Sequence, residues 1–325
     1  MKTIFKMLLA PLLWFLHSCS PLGEPVDAAK SNNHYYNHDK SQIRYSPMGN
    51  WFELGNSAMK ADINSFEVLN KWLSKDKNHL FYEAYEVKNA KIDRSTFTVK
   101  EKDYMTNIGF DKDYVYAFRK VFKNKSHHGV VKIIEYADAK TYERTDWDWA
   151  NDGKHHFYRD NRIDADFASF KTLNDYFAKD DYKAYVRNDT LFAAFDADNT
   201  TLQILDKSAH SIDHKNVYWL PFFTKNSPNL LTIPYENEAE VRMLNRFFLR
   251  IANTIYFDGV ARKDIDATSF EIIDHSYAKD AAHVYYRDKV IPNADAASFK
   301  RLEGSYKYTD KNGVYHDGKL EEKKL

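Results

Sequence analysis

Paired carboxylates are the first residues in this chain whose types and spacing have the makings of chemistry. Asp111/Asp113, Asp164/Asp166, Asp196/Asp198 and Asp264/Asp266 each stand two apart, as calcium-ligating aspartates do. The glycine at loop position six and the bidentate glutamate at position twelve of an EF-hand are missing, so no calcium site is expected. His34 and His38, with Asp39 beside them, would share one face of a helix, but the stretch lacks helical periodicity and a third ligand at a diagnostic spacing, so zinc is not expected either. Gly-x-Ser-x-Gly, a phosphate-binding glycine loop and His-Glu-x-x-His are absent. Cys19 is the only cysteine, which excludes internal disulfides and, if lipidated, a thiol nucleophile. A carboxylate pair for glycoside hydrolysis, roughly 5 to 10 Å apart, is a tertiary property that sequence leaves open. No metal, no cofactor and no catalytic residue is therefore expected.

What would position any such group is a repeat. From Asp76 onward an aspartate is followed by a polar turn and an aliphatic-aromatic-aromatic triplet, as in Asp76-Lys77-Asn78-His79-Leu80-Phe81-Tyr82. Five residues after Asp76, Asp111, Asp152, Asp180, Asp213, Ile251 (where the aspartate is lost), Asp280 and Asp310 stand Phe81, Tyr116, Phe157, Tyr185, Tyr218, Tyr256, Tyr285 and Tyr315. Between these copies runs a second phrase, Ala-Asp-x-x-Ser/Thr-Phe, with anchors at Phe66, Phe97, Tyr142, Phe170, Leu202, Val241, Phe270 and Phe299. The anchors lie 31, 45, 28, 32, 39, 29 and 29 residues apart, a unit of about 28–32 residues stretched twice by insertion.

Turn residues flanked by β-branched and aromatic ones predict hairpins. The Asp-x-x-Ser/Thr spacing of Asp62/Ser65, Asp166/Ser169, Asp198/Thr201, Asp266/Ser269 and Asp295/Ser298 predicts an aspartate-capped single turn that aims the anchor inward. Residues 236–250 carry apolar residues at helical spacing, yet repeat register assigns them to strands. The expected fold is all-β: about seven to eight hairpin or three-strand repeats in an open solenoid-like array, with propeller-like closure as the alternative. Position five reads as core. Position six is also often aromatic (Tyr82, Tyr158, Trp219, Phe257, Tyr286) and alternates to the other face, which reads as a second packed layer or, with Trp147 and Trp149, as an exposed row for stacking on sugars or a partner. Two insertions, a basic one at about 119–132 holding Arg119, Lys123 and Lys125 and an apolar one at about 220–234, fall at equivalent places and read either as extended hairpins with no role or as segments that project from one binding face.

Units such as Tyr277-Ala278-Lys279-Asp280 to Val284-Tyr285-Tyr286, followed by Ile291 and Ala294-Asp295-x-x-Ser298-Phe299, resemble the DKNYY family of bacterial envelope proteins over about residues 60 to 320. The resemblance implies fold and envelope location and no catalytic residues. A decayed first unit is expected from His34, where Tyr35 to Tyr45 has the composition without the register.

Met1-Lys2-Thr3-Ile4-Phe5-Lys6 and the apolar run Met7 to Leu16 read as a signal peptide, 1–18, ending in Leu16-His17-Ser18-Cys19, which resembles a lipobox although His17 departs from its usual residue. Cys19 is the expected lipidation site, Ser20 favours the outer membrane, 19–33 reads as a tether, and 34–325 as the repeat domain. Without Lys2 and Lys6 the chain carries 45 basic against 47 acidic residues, which argues against nonspecific nucleic-acid binding. The expected function is a lipid-anchored, non-catalytic binding or scaffold module with a protein partner. Glycan binding through exposed aromatics is one alternative and an unrecognised hydrolase another.

Overall fold

Short runs of alternating apolar and polar residues, each closed by Asp, Asn or Gly, form antiparallel strands of two to nine residues throughout the chain. The structure is a computed structural model and describes residues 20–88, 91–100, 107–123, 126–187, 191–205, 209–222 and 230–323. Among these there is no α-helix, and the strands form nine separate small sheets, eight of four strands and one of three. None closes into a barrel. The sheets fall into two units, residues 1–162 with the first four and 163–325 with the last five.

A representative sheet of unit two meanders through Lys171–Thr172, Phe177–Lys179, Ala184–Arg187 and Phe192–Phe195. Its position-five ring, Tyr185, lies directly across from Ala178. The same pairing of large with small recurs as Phe81 with Ser74, Tyr116 with Gly109, Phe157 with Ala150, Tyr218 with Ser211 and Tyr285 with Ala278. The small partner leaves room for the anchor ring. At Gly109 this is absolute, because a Cβ there would collide with the ring of Phe97.

Within each unit the core is divided into clusters shared by two sheets adjacent in sequence. In unit one, Ile43 and Tyr45 of the first sheet meet Phe81 of the second, whose Leu73 and Leu80 meet Tyr116 and Phe118 of the third. Ile108 and Val115 then meet Ala150 and Phe157 of the fourth. Unit two repeats the arrangement four times, ending with Tyr277 and Val284 against Tyr308 and Tyr315. This nearest-neighbour packing is that of an open repeat array.

The expected three-strand unit is corrected to four. The extra strand is short, from two residues at Tyr85–Glu86 and Lys289–Val290 to five at Lys319–Lys323, and so offers little periodicity to read. It follows a two-residue turn whose first residue has positive φ: Glu83, Arg159, Asp258, Arg287 or Asp317. The repeat domain also starts before His34. Pro25–Asp27 and Ser31–Tyr36, from the stretch read as tether, pair with each other and with Ile43–Tyr45 and Ser57–Ala58 as the first sheet. Its loop between Tyr36 and Ile43 runs over residues 37–42, longer than the 76–79 turn of the next sheet, which is why composition persisted there without register. The signal peptide and Cys19 lie outside the described residues.

Strands Val241–Met243, Phe248–Ile251 and Thr254–Phe257 bear out the strand reading of 236–250, preceded by a 3₁₀ turn at Glu238–Glu240. Position-five burial fails only here. With the aspartate replaced by Ile251, the hairpin shortens to Ala252-Asn253, and Tyr256 is half-buried while Ile255 and Phe257 turn inward.

Replacing Gly109 with Ala should destabilise unit one by about 1–3 kcal/mol through overpacking against Phe97. Urea unfolding checks this, and an unchanged midpoint would show that the ring has room to move.

Candidate functional site

The repeated aspartates form one construction seven times. Oδ1 of Asp180 accepts the backbone N–H groups of Tyr182 and Lys183 at 2.7 and 2.6 Å, fixing the hairpin turn. Its Oδ2 accepts the N–H of the cap residue Asp166 at 2.9 Å and the hydroxyl of Tyr185 at 2.6 Å. Asp166 in turn accepts from Ser169, whose Oγ accepts the N–H of Asp181. Two aspartates thus clasp the turn before the first strand to the turn between the second and third. Asp76, Asp111, Asp152, Asp213, Asp280 and Asp310 accept the N–H of Asp62, Asp93, Asp138, Asp198, Asp266 and Asp295 in the same way. Phenols complete the set at Tyr116, Tyr218, Tyr285 and Tyr315. Where position five is Phe81 or Phe157, a histidine three residues after the aspartate takes the place of the phenol: His79 Nδ1 lies 3.1 Å from the Asp76 carboxylate and His155 Nδ1 3.0 Å from that of Asp152. The Asp-x-Asp pairs read for calcium include Asp166, Asp198 and Asp266 of these clasps, and among the described residues no cluster of three metal-ligating side chains exists. His34 is buried against Tyr45 and Phe66, whereas His38 is exposed and meets the Ser20 carbonyl.

The position-six aromatics do not form an exposed row. Trp219, Tyr158 and Phe257 are buried, Tyr82 is half-buried against Phe118, and Tyr286 is half-buried against Tyr277 with its hydroxyl donating to Asp317 at 3.2 Å. The reason is architectural. A sheet inside an array has a neighbour on either face, so alternation points position six at the next sheet instead of at water: Trp219 packs with Leu249, and Phe257 with Tyr285. Trp147 is exposed and Trp149 lies against Tyr158.

The basic insertion is a long hairpin, Val115–Lys123 with Ser126–Ile133. Its cations are tied down within unit one: Arg119 forms an ion pair with buried Asp160, Lys120 meets Glu83 at 2.7 Å, and Lys132 Nζ donates to Asp160 O and Asn161 Oδ1. Gly129 bridges to Val87 of the second sheet. Arg119 is thus a strut, contrary to the expected free basic face. Lys123 is described by its backbone alone, and Lys125 and residues 223–229 lie outside the described residues.

Immediately after this hairpin the chain builds a groove of about 720 Å³, lined by Tyr114, Tyr136, Lys140, Lys154, Asp113 and Glu135 among others. Tyr136 is 70 % exposed and sits at φ +66°, a left-handed conformation that costs a non-glycine residue roughly 1–2 kcal/mol, with the Arg162 guanidinium 4.6 Å from its ring. Asp113, Glu135, Asp138 and Asp152 line the groove, and among the described residues no three such side chains gather as a metal-holding group. Asp152 and Asp138 are occupied by clasp bonds, and Asp113 and Glu135 stand in solvent without the water-excluding wall that acid–base catalysis uses.

The family model described as the DKNYY family matches residues 149–319. The chain belongs to that family. No curated protein and no solved structure matches it. In this DKNYY chain the aspartate and the aromatic of the repeated phrase are the residues that bond each other, five times as carboxylate and phenol. The groove residues up to Lys140 precede the matched segment.

Burial alone would push the Asp180 carboxyl up, but the Tyr185 hydroxyl and three backbone N–H groups outweigh it and hold its pKa below the usual value. Asp198 is held at about 2, chiefly by the Thr200 hydroxyl, and Asp295 at about 2, chiefly by Lys311. His34 and His210 are lowered by burial, to about 3 and about 4. All these folded-state values lie below the unfolded ones, so each contribution to stability is present at neutral pH and lost on acidification. The histidine part should fade from about pH 6.5 downward, and the aspartate part below about pH 4. Asp180→Asn, which places an NH₂ group where Oδ2 accepts two donors, should cost about 3 kcal/mol or more, against about 1 kcal/mol for Tyr185→Phe. Urea midpoints between pH 2 and 8 measure both, and equal losses in the two variants would refute the clasp.

Proposed function

We propose that this DKNYY chain is a lipoprotein of the bacterial envelope, cleaved after a signal peptide, lipidated on Cys19 with palmitate among its acyl chains, retained at the outer membrane, and acting there as a non-catalytic module that binds a protein. The observation that carries the reading is Tyr136, a large aromatic held at positive φ and facing solvent in the groove. The positive φ belongs to the turn that the Ala137 N–H closes onto Ile134 O, as at Asn293 between Ile291 and Ala294, so the turn accounts for the backbone while the exposed tyrosine, standing where the other turn has asparagine, is available to a ligand. Around it, Tyr114 and charges of both signs supply the aromatic centre and polar rim of a protein interface. The repeated carboxylates support a non-catalytic role because their acceptor sites are occupied by backbone N–H groups. The glycan reading loses the aromatic row that motivated it.

Crosslinking in intact envelopes tests this, with the native chain beside Tyr136→Gly. The variant relieves the backbone strain, so stability should hold or rise by up to about 1 kcal/mol while a stoichiometric protein adduct is lost at least tenfold. An adduct indifferent to Tyr136→Gly, or recovery of glycan without protein, overturns the reading. Detergent phase partitioning of Cys19→Ser reports the anchor separately.

A further inference from the structure

Leaving the groove aside, three of the exposed large apolar side chains among the described residues fall within one short stretch. Met48, Phe52 and Leu54 are 53 %, 68 % and 80 % exposed within the loop that joins Ile43–Tyr45 to Ser57–Ala58, and Trp51 stands edge-on to Phe52 beside them. The loop holds one shape. Asn50 Oδ1 accepts the N–H of Glu53 at 2.8 Å while its Nδ2 donates to Glu53 Oε2 at 2.9 Å, and Tyr35 OH and Asn33 Nδ2 donate to the carbonyls of Gly49 and Pro47. Leu54 has φ +54°, a conformation unfavourable for leucine, and in it the side chain reaches water instead of a core. Folding gains nothing from that combination, so the apolar tip must be buried by something outside the chain.

We infer that the Met48–Leu54 loop inserts into the lipid surface beside the acylated N-terminus. This rests on the proposed anchor at Cys19. The described chain starts one residue later, and Gly23 N–H donates to Tyr36 O, which fastens the N-terminal segment to one end of the strand Ser31–Tyr36. Gly49 packs against Asn32 near the other end of the same strand. Four residues of strand, roughly 13 Å, separate the two attachments, so a lipid on Cys19 brings the bilayer to the sheet that carries the loop. Met, Trp, Phe and Leu are residues that partition into the headgroup and acyl boundary, and the one charge at the tip, Glu53, is engaged by Asn50. The acyl chains on Cys19 supply the affinity, and a second apolar contact fixes the orientation of the first sheet on the membrane.

The test uses the mature protein purified from membranes and placed in phosphatidylethanolamine/phosphatidylglycerol vesicles with brominated acyl chains, which quench tryptophans within the bilayer. Of the five tryptophans that remain once the signal peptide with Trp14 is removed, Trp51 should account for most of the bromine-dependent quenching, so Trp51→Phe should remove at least half of it. Phe52→Ser/Leu54→Ser should reduce it with an unchanged near-UV circular dichroism spectrum. Quenching that is absent, or that survives Trp51→Phe, overturns the inference, as it would if the loop docked on a protein instead. Mass spectrometry of the N-terminal peptide reports lipidation independently. A lipidated chain with unquenched Trp51 sinks the loop inference and leaves the anchor standing. An unlipidated chain whose quenching depends on Trp51 sinks the anchor and supports the loop.

Discussion

A buried carboxylate with up to four donors is the element on which the rest of this structure depends. Leaving an aspartate such as Asp180 inside a fold without partners would cost several kcal/mol, and charge-assisted hydrogen bonds to backbone N–H groups return roughly 1.5–3 kcal/mol each. The sum favours the fold only when all the donors are in place together. Each repeat therefore folds its cap turn, its hairpin turn and its aromatic strand as one cooperative piece. Exposed ion pairs such as Lys311–Asp295 lie over the same turns, but pairs of this kind contribute little by comparison.

Clasps act within a sheet, and a different set of contacts joins one sheet to the next. Apolar clusters do most of this, and the lysine before the repeated aspartate adds a directed bond. Lys75, Lys179 and Lys279 extend to carbonyls of the following capped turn, at Phe97, at Asn199 and Leu202, and at Ala296. Stability is then a sum of unit terms and neighbour terms, as in other linear repeats, and a unit can lose its clasp if its neighbours hold it. The seventh sheet has done so. It replaces the aspartate with Ile251, closes the hairpin with two residues, and keeps Leu249 and Ile251 in the cluster shared with the sixth sheet.

Much of this was legible because local chemistry and repetition agree. The aspartate-to-aromatic distance, the capped turns and the strand assignment of 241–257 all survive in the structure. The fourth strand was not legible, since a strand of two to five residues scarcely shows a period, although Asp258-Gly259 and Asp317-Gly318 are dipeptides favoured in the tight turns that introduce it. The clasp itself could have been read from the separation of the two aspartates: 62 and 76, 138 and 152, 166 and 180, 266 and 280 are each fourteen apart. The exposed row failed for a physical reason. Alternation identifies a second face without saying whether water or another sheet lies against it, and in an array it is another sheet.

The same reasoning locates function away from the repeat. A residue that every unit needs for its clasp or its junction is not free to be selected for a ligand, so specificity has to arise where a unit departs from the pattern. Both solvent-facing strained side chains argued for here meet that condition. Tyr136 lies within the longest interval between anchors, and Leu54 lies in a loop of the first sheet, whose register differs from the others. Each presents a solvent-facing apolar side chain from a loop position at positive φ, on loops whose ends are fixed by regular sheets. Rigid strands set the position of these loops, and loop residues determine what they contact, which is the division of labour expected of a scaffold that binds.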